Sequence, residues 1–267
     1  MSVITISRGT FSGGKMLAEG LSARLGYRCI DRDALVERAA SERASQHELR
    51  AALEETPTFP GRFNHKRYVY LCLIQAALLE EARSGRAIYH GLGGQLLLKG
   101  APALLRLRII APMDFRIRME EARLKLSRGE VIAHIEKMDR DRRKWAQFLY
   151  GVDWGDPSLY DLVINLEHIG IEPACYLVAS LVEEGDFEFS PQRQAAMNDL
   201  ALASRVRAAL ALSPFTSNLE VEVTARDGSV SVRGDLVEQV EEVDRVARAV
   251  PGVTELTVDE PDPADRA

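Results

Sequence analysis

The run Ser7-Arg8-Gly9-Thr10-Phe11-Ser12-Gly13-Gly14-Lys15-Met16 constrains this chain more than any other stretch. It follows a short apolar strand pattern at 3–6 and opens a helical pattern at 17–25. A strand feeding a glycine loop that starts a helix makes a cradle for phosphate. Glycines let backbone N–H groups turn inward, and the helix N-terminus adds partial positive charge. From Gly9 to Lys15 the residues fit GxxxxGK, with Thr10, Ser12, Gly13 and Gly14 in the loop and Lys15 in reach of the outer phosphates. Met16 stands where a Ser or Thr hydroxyl usually ligates Mg²⁺. An ordinary glycine turn could carry the same letters; the strand-loop-helix order favours phosphate binding.

Beyond the loop, strand and helix patterns alternate. A second strand at 26–30 delivers Asp31 and Asp33 to its carboxyl end, where ligands of open α/β sheets sit. Asp31 is expected either to meet an acceptor hydroxyl or Mg²⁺-bound water, or to serve only the local turn. Asp33 is expected chiefly to cap the helix beginning at Ala34. After a break at 56–61, Arg62, His65, Lys66 and Arg67 form a basic cluster at the start of another helix. Cations are poorly placed at a helix N-terminus, so an anion of the acceptor is the preferred explanation. A third strand at 86–89 runs into His90-Gly91-Leu92-Gly93-Gly94, a second glycine turn that suits either close approach of substrate or tight packing. A fourth strand at 105–111 stops at Pro112, and the next helix carries Arg116. A long helix from about 130 to 150 contains Asp139, Arg140, Asp141, Arg142 and Arg143. Guanidinium forks suit a transferring phosphate, although mixed charges at helical spacing also make an ordinary solvated face. A fifth strand at 160–165 and a helix at 167–184 complete a parallel sheet covered on both faces.

Composition narrows the function classes. The chain has 267 residues, 46% hydrophobic and 28% charged, with a formal net charge of −6. An acidic balance argues against nonspecific nucleic-acid binding, which needs a basic face. No apolar run approaches the ~20 residues of a membrane span. With an uncharged start unlike a signal peptide, a cytoplasmic location is expected. Cys29, Cys72 and Cys175 lack metal or redox spacing and are expected to be reduced and buried.

In combination and order, these stretches resemble the cytidylate kinase-like family of P-loop nucleoside monophosphate kinases, over residues 1–185. The resemblance rests on Ser12-Gly13-Gly14-Lys15, residues 27–33, Ala111-Pro112 followed by Arg116, residues 137–143, and residues 153–165. It implies a five-stranded parallel sheet, a helical insert for the acceptor, an arginine-bearing lid at 140–143, and Mg-ATP as donor. Arg116 and Arg142 would contact the nucleotide, and Arg140 and Arg143 the transferring group. The turn that usually reads Gly-Arg-Gly is Gly91-Leu92-Gly93 here, so one phosphate fork is missing and CMP is an uncertain acceptor.

A linker is expected at 186–199, a small α+β unit at 200–259, and a tail at 260–267. Leu202, Val206 and Leu210 trace a helix, 219–223 alternates as a strand, and Asp227-Gly228 turns a hairpin. A second helix face follows in Val237, Val240, Val243, Ala247 and Val250, and then a last strand. This order, with the Asp-Gly-Ser-Val and Pro-Gly-Val turns, resembles a BON domain. No His, Cys or Lys follows Cys175, so this unit is expected to bind a ligand, regulate or self-associate. The whole chain is expected to be an ATP-dependent kinase of a small molecule, a nucleotide or nucleoside. The alternative is a nucleotide-binding regulator that transfers nothing and signals by lid closure.

Overall fold

The computed structural model describes residues 2–40, 44–54, 65–124, 126–236 and 239–259. Five strands, β1 (Val3–Arg8), β2 (Arg28–Asp31), β3 (Ala87–His90), β4 (Leu104–Ile110) and β5 (Leu162–Asn165), pair in the order β2-β3-β1-β4-β5. All four pairings are parallel. Central β1 is buried along nearly its whole length, which is why its residues read as a continuous apolar run rather than an alternation.

Helices α1 (Gly14–Leu25), α2 (Arg32–Ala39), α3 (Gln46–Glu54), α4 (His65–Ala82), α5 (Gly94–Leu97), α6 (Met113–Leu124), α7 (Arg128–Tyr150) and α8 (Ile171–Glu183) connect and cover the strands. On one face α1 and α8 bury Leu17, Leu21, Cys175 and Val178 against Ile4, Ile6 and Leu107. On the other, Leu35, Leu49, Ile74, Leu78 and Leu97 pack with Val3, Tyr89 and Trp145 of α7. The Tyr160 hydroxyl ties several parts together: it lies 3.2 Å from Ser7 Oγ, accepts from Gln95 and Arg108 at 3.2 Å, and donates to the Trp154 carbonyl at 3.0 Å. Cys29 departs from expectation. It is exposed, because β2 is an edge strand, whereas Cys72 and Cys175 are buried and all three thiols are free.

Beyond α8 runs α9 (Pro191–Leu212), followed by β6 (Val221–Arg226), β7 (Ser229–Gly234), α10 (Val240–Arg248) and β8 (Glu255–Asp259). Strands β6 and β7 form an antiparallel hairpin and β8 joins β7 in parallel, giving a separate three-stranded sheet. Asp227 and Gly228 both have positive φ, 50° and 87°, as a two-residue hairpin turn requires.

The stretch expected as a linker is helical from Pro191 onward. Ser190 accepts a hydrogen bond from the Arg193 N–H and Pro191 takes the first helical position, so Ser-Pro starts a helix here instead of interrupting the chain. The polar letters at 192–194 and 198–199 belong mainly to the solvent side. Met197 is fully buried, and with Ala201, Ala208 and Ala211 it joins the core around α4, while Leu202, Val206 and Leu210 join the core of the small sheet. Among the described residues, no helix is long and apolar enough to cross a membrane.

Candidate active site

The glycine loop lies at the carboxyl end of β1. Gly13 caps α1 at φ 89°, a conformation that side-chain-bearing residues rarely adopt, and a Cβ on Gly14 would come within 2.4 Å of the Arg8 side chain. The Ser12 hydroxyl donates to the carbonyls of Gly9 and Ile109, at 3.0 and 3.1 Å, stitching the loop to β4. The side chains expected to meet the nucleotide therefore divide, with Ser12 bracing the loop. Lys15 remains 66% exposed, near Glu19 at 3.7 Å, and Met16 faces outward.

Helix α7 lies against this loop. It begins with a reciprocal capping box between Ser127 and Glu130 and ends at Gly151 in the left-handed conformation. Asp139, one turn N-terminal to Arg142, makes the most contacts with the loop. Its Oδ1 accepts from the Thr10 N–H at 3.0 Å and the Thr10 hydroxyl at 2.8 Å, and its Oδ2 accepts from Arg116 Nη2 at 2.5 Å. Burial works against this charge, but the Thr10 N–H, Arg116 and the Thr10 hydroxyl together hold the carboxyl below the ordinary Asp range. Arg116 also donates to the Thr10 carbonyl at 2.7 Å, and Arg142 donates to the Thr10 hydroxyl at 2.8 Å. Phe11, at φ 60°, stacks on His134 with ring centroids 5.8 Å apart.

Beneath α7 opens a cleft of about 330 Å³. Lys15 and Arg142 line it together with Asp31, Asp33, Gly91 and Leu92. It also includes Arg8 and Arg32, which were not expected there, and His90, for which no catalytic role is expected from the sequence. Burial, then repulsion from Arg32, lowers the Arg8 pKa. Burial and the neighbouring Arg8 bring Arg142 down to about 10, so it stays charged near neutrality. His90 is lowered by burial and Arg8, which keeps the imidazole neutral. Arg8 Nε and His90 Nδ1 are buried without hydrogen-bond partners.

Other expected site residues lie elsewhere. Arg140 pairs with Glu136 at 3.5 Å and Arg143 approaches Asp153 at 3.8 Å, both on the exposed side of α7, so of the three lid arginines Arg142 alone lines the cleft. Arg67 turns away and donates to the Ala52 carbonyl at 2.9 Å. Arg62 lies outside the described residues, and of Lys66 only its place in α4 is described. Asp31, not Asp33, caps α2, accepting from the Ala34 N–H at 2.8 Å, because the helix starts two residues earlier than its apolar pattern predicts. Asp33 instead pairs with Arg50 at 3.1 Å. The second glycine turn serves packing as well: a Cβ on Gly91 would come within 2.3 Å of the Tyr89 hydroxyl, and one on Gly93 within 2.7 Å of the Trp145 ring. Arg8 was legible as a cation beside the loop. Asp139 was not, since one carboxylate in a mixed-charge helix carries no mark of its direction.

The residues fit a polyphosphate better than a protein-held metal. A glycine loop at the N-terminus of α1, Lys15 and the unpartnered Arg8 Nε suit an anion. Among the described residues no group of three or more His, Cys, Asp or Glu side chains could hold a metal ion. Mg²⁺ fits only as an ion carried by the phosphates, keeping several waters, with Asp31 as a carboxylate in the same cleft.

A phosphate loop at the switch point of a five-stranded parallel sheet, with a helix laid across it, defines a P-loop kinase-type α/β fold. The chain belongs to the Cytidylate kinase-like family, whose model matches residues 3–168. It is similar to a cytidylate kinase from Desulfurococcus amylolyticus, 29% identical over 80 residues that make up 30% of this chain and 43% of that protein. This chain thus matches less than half the length of that curated relative. Among solved structures it is similar to an uncharacterized protein from Eubacterium ventriosum, with a TM-score of 0.53 and 16% identity over 68% of this chain and 99% of the other. That likeness concerns the fold.

Proposed function

We propose that the protein is an ATP-dependent kinase that phosphorylates a small molecule, a nucleotide or nucleoside. One observation supports this reading: a single cleft is lined both by the phosphate loop and by Asp31, Asp33 and the turn at Leu92, which would form the acceptor's side of it. A protein that only senses nucleotide needs one such surface; phosphoryl transfer needs two side by side. Lys15 and the loop N–H groups would hold the β and γ phosphates, Arg142 would neutralise charge on the transferring group, and Asp31 would orient the acceptor hydroxyl. Bound Mg²⁺ would supply further charge neutralisation. Catalysis would come from positioning and charge, with little covalent chemistry required of the protein. His90, neutral and buried, is not needed as a base.

The acceptor is narrowed by Leu92. An apolar side chain at that turn favours an acceptor lacking a phosphate there, or one bound by Arg8 and Arg32 instead. The C-terminal unit, whose order of helix, hairpin, helix and strand supports the BON-like reading, would regulate or assemble the enzyme. Release of ADP from ATP and Mg²⁺, measured with nucleoside monophosphates, nucleosides and other small hydroxyl compounds, tests the proposal. Acceptor-dependent turnover is expected; ATP binding with no turnover for any acceptor would overturn it.

Asp139 favours the second reading, a nucleotide-binding regulator. Its carboxylate occupies the Thr10 N–H, a donor that a phosphate could otherwise use. On that reading ATP would displace Asp139 and swing α7 away without phosphoryl transfer.

A further inference from the structure

A second cavity, of about 220 Å³, lies where α4, the end of α7 and α9 meet. Leu71, Phe148, Leu149 and Tyr150 supply apolar walls, while Gln75, Arg207 and Arg67, whose guanidinium also donates to the Ala52 carbonyl, supply polar groups. Arg207, from α9, donates to Gln75 Oε1 at 2.5 Å, yet its Nε is buried without a hydrogen-bond partner. Among the described residues no carboxylate lies within ion-pair distance of it. Two of its neighbours stay uncharged near neutrality, because burial pushes the Cys72 thiol up against the opposing effect of Arg207 and pushes the Tyr150 hydroxyl up to about 12, while the nearest carboxylate felt at the cavity wall is that of Glu220, beside Tyr68. A guanidinium set against apolar walls without a counter-ion pays desolvation that an incoming anion would offset.

We infer that this cavity binds a small amphipathic monocarboxylate, its anionic end on Arg207 and its hydrocarbon part against Leu71, Phe148 and Leu149. The volume is that of about seven waters of liquid, which suits a short acyl or single-ring acid. The mainly apolar wall selects against inorganic phosphate, which would leave most of its oxygens without donors. The occupant touches α7 about 10 Å along the helix from Arg142, at 1.5 Å per residue, so the site links α9 to the helix over the cleft.

The test is calorimetric titration of the full chain with hexanoate and benzoate, alongside hexanamide, benzamide and inorganic phosphate, with Trp145 fluorescence followed in parallel in a Trp154→Phe background. Trp145 sits 5.5 Å from the Tyr150 ring, centroid to centroid, and reports on the cavity wall. The acids should saturate and bind at least tenfold more tightly than their amides. Arg207→Met should weaken them at least tenfold, whereas Lys15→Ala should leave them unchanged. Leu71→Trp, which fills the cavity while keeping Arg207, should abolish binding and decides the matter if Arg207→Met does not fold. The inference fails if no probe saturates, if acids and amides bind alike, or if phosphate binds as well as the acids. It also fails if acid binding survives Arg207→Met but is lost in Lys15→Ala, since the acids would then sit in the cleft.

Discussion

Asp139 joins loop and helix through two protein donors on one oxygen and an arginine on the other, and its loss should be felt in both. Asp139→Asn is expected to lower turnover at least tenfold while changing ATP affinity less, because the loop and Arg116 lose their common anchor. Tighter ATP binding would instead support the reading in which this carboxylate competes with phosphate. The stability cost should be about 1–2 kcal/mol, allowing for the screening of a carboxylate still 31% exposed. Its folded-state pKa is depressed, so its contribution is fully present above the ordinary Asp value and is lost as pH falls through the folded value. Wild-type melting temperature should therefore fall more steeply below about pH 4 than that of Asp139→Asn. Lys15 lies outside the packed core, and Lys15→Ala should reduce turnover by orders of magnitude with little change in melting temperature. Normal turnover in that variant would refute the phosphate-loop assignment. The loop itself was legible in the sequence, because glycines and a lysine at fixed spacing act locally.

Helix α7 turns chemistry into direction. Successive residues lie about 100° apart, so Arg140, Arg142 and Arg143 must face different ways. With Arg142 only 19% exposed and lining the cleft, Arg142→Ala should cost turnover by about 10²-fold or more, while Arg140→Ala and Arg143→Ala should be nearly silent. Equal effects in all three would place the transferring group elsewhere. The helix is seated by the second glycine turn: Gly93, at φ 68°, lies directly under the Trp145 ring, whose Nε1 donates to the Ala52 carbonyl at 3.2 Å. Gly93→Ala adds both strain and overlap, and should destabilise the fold by about 1–3 kcal/mol. Red-shifted emission in a Trp154→Phe background, where Trp145 is the remaining tryptophan, would show that the helix has lifted; an unchanged spectrum and melting temperature would contradict this account.

At the scale of the molecule, α9 belongs to two cores. Its Met197, Ala201, Ala208 and Ala211 face α4, where small side chains allow close approach, and Leu202, Val206 and Leu210 face the small sheet. Gln194 adds a hydrogen bond to the Arg83 carbonyl at 2.9 Å. Cutting near Pro191 should therefore expose an apolar face of α4, and burial of Met197 alone is worth about 2 kcal/mol. A fragment of residues 1–190 is expected to melt at least about 5 °C below the full chain and to self-associate. A fragment that melts at the full-length temperature would show that the two cores are independent.

Local chemistry determined a good part of this protein directly from its letters: the alternation of strands and helices, the parallel sheet, the phosphate loop and the hairpin at Asp227-Gly228 all follow from spacing and from the conformations that glycine alone adopts freely. Tertiary structure decided the rest. A charge on a helix acquires a role only when the helix has a neighbour, so Asp139 and Arg142 separate from Arg140 and Arg143 only once α7 lies on the loop. The polar letters at 192–199 likewise look like a linker until α4 covers Met197, because burial on two narrow faces leaves a helix with few apolar residues at any one turn.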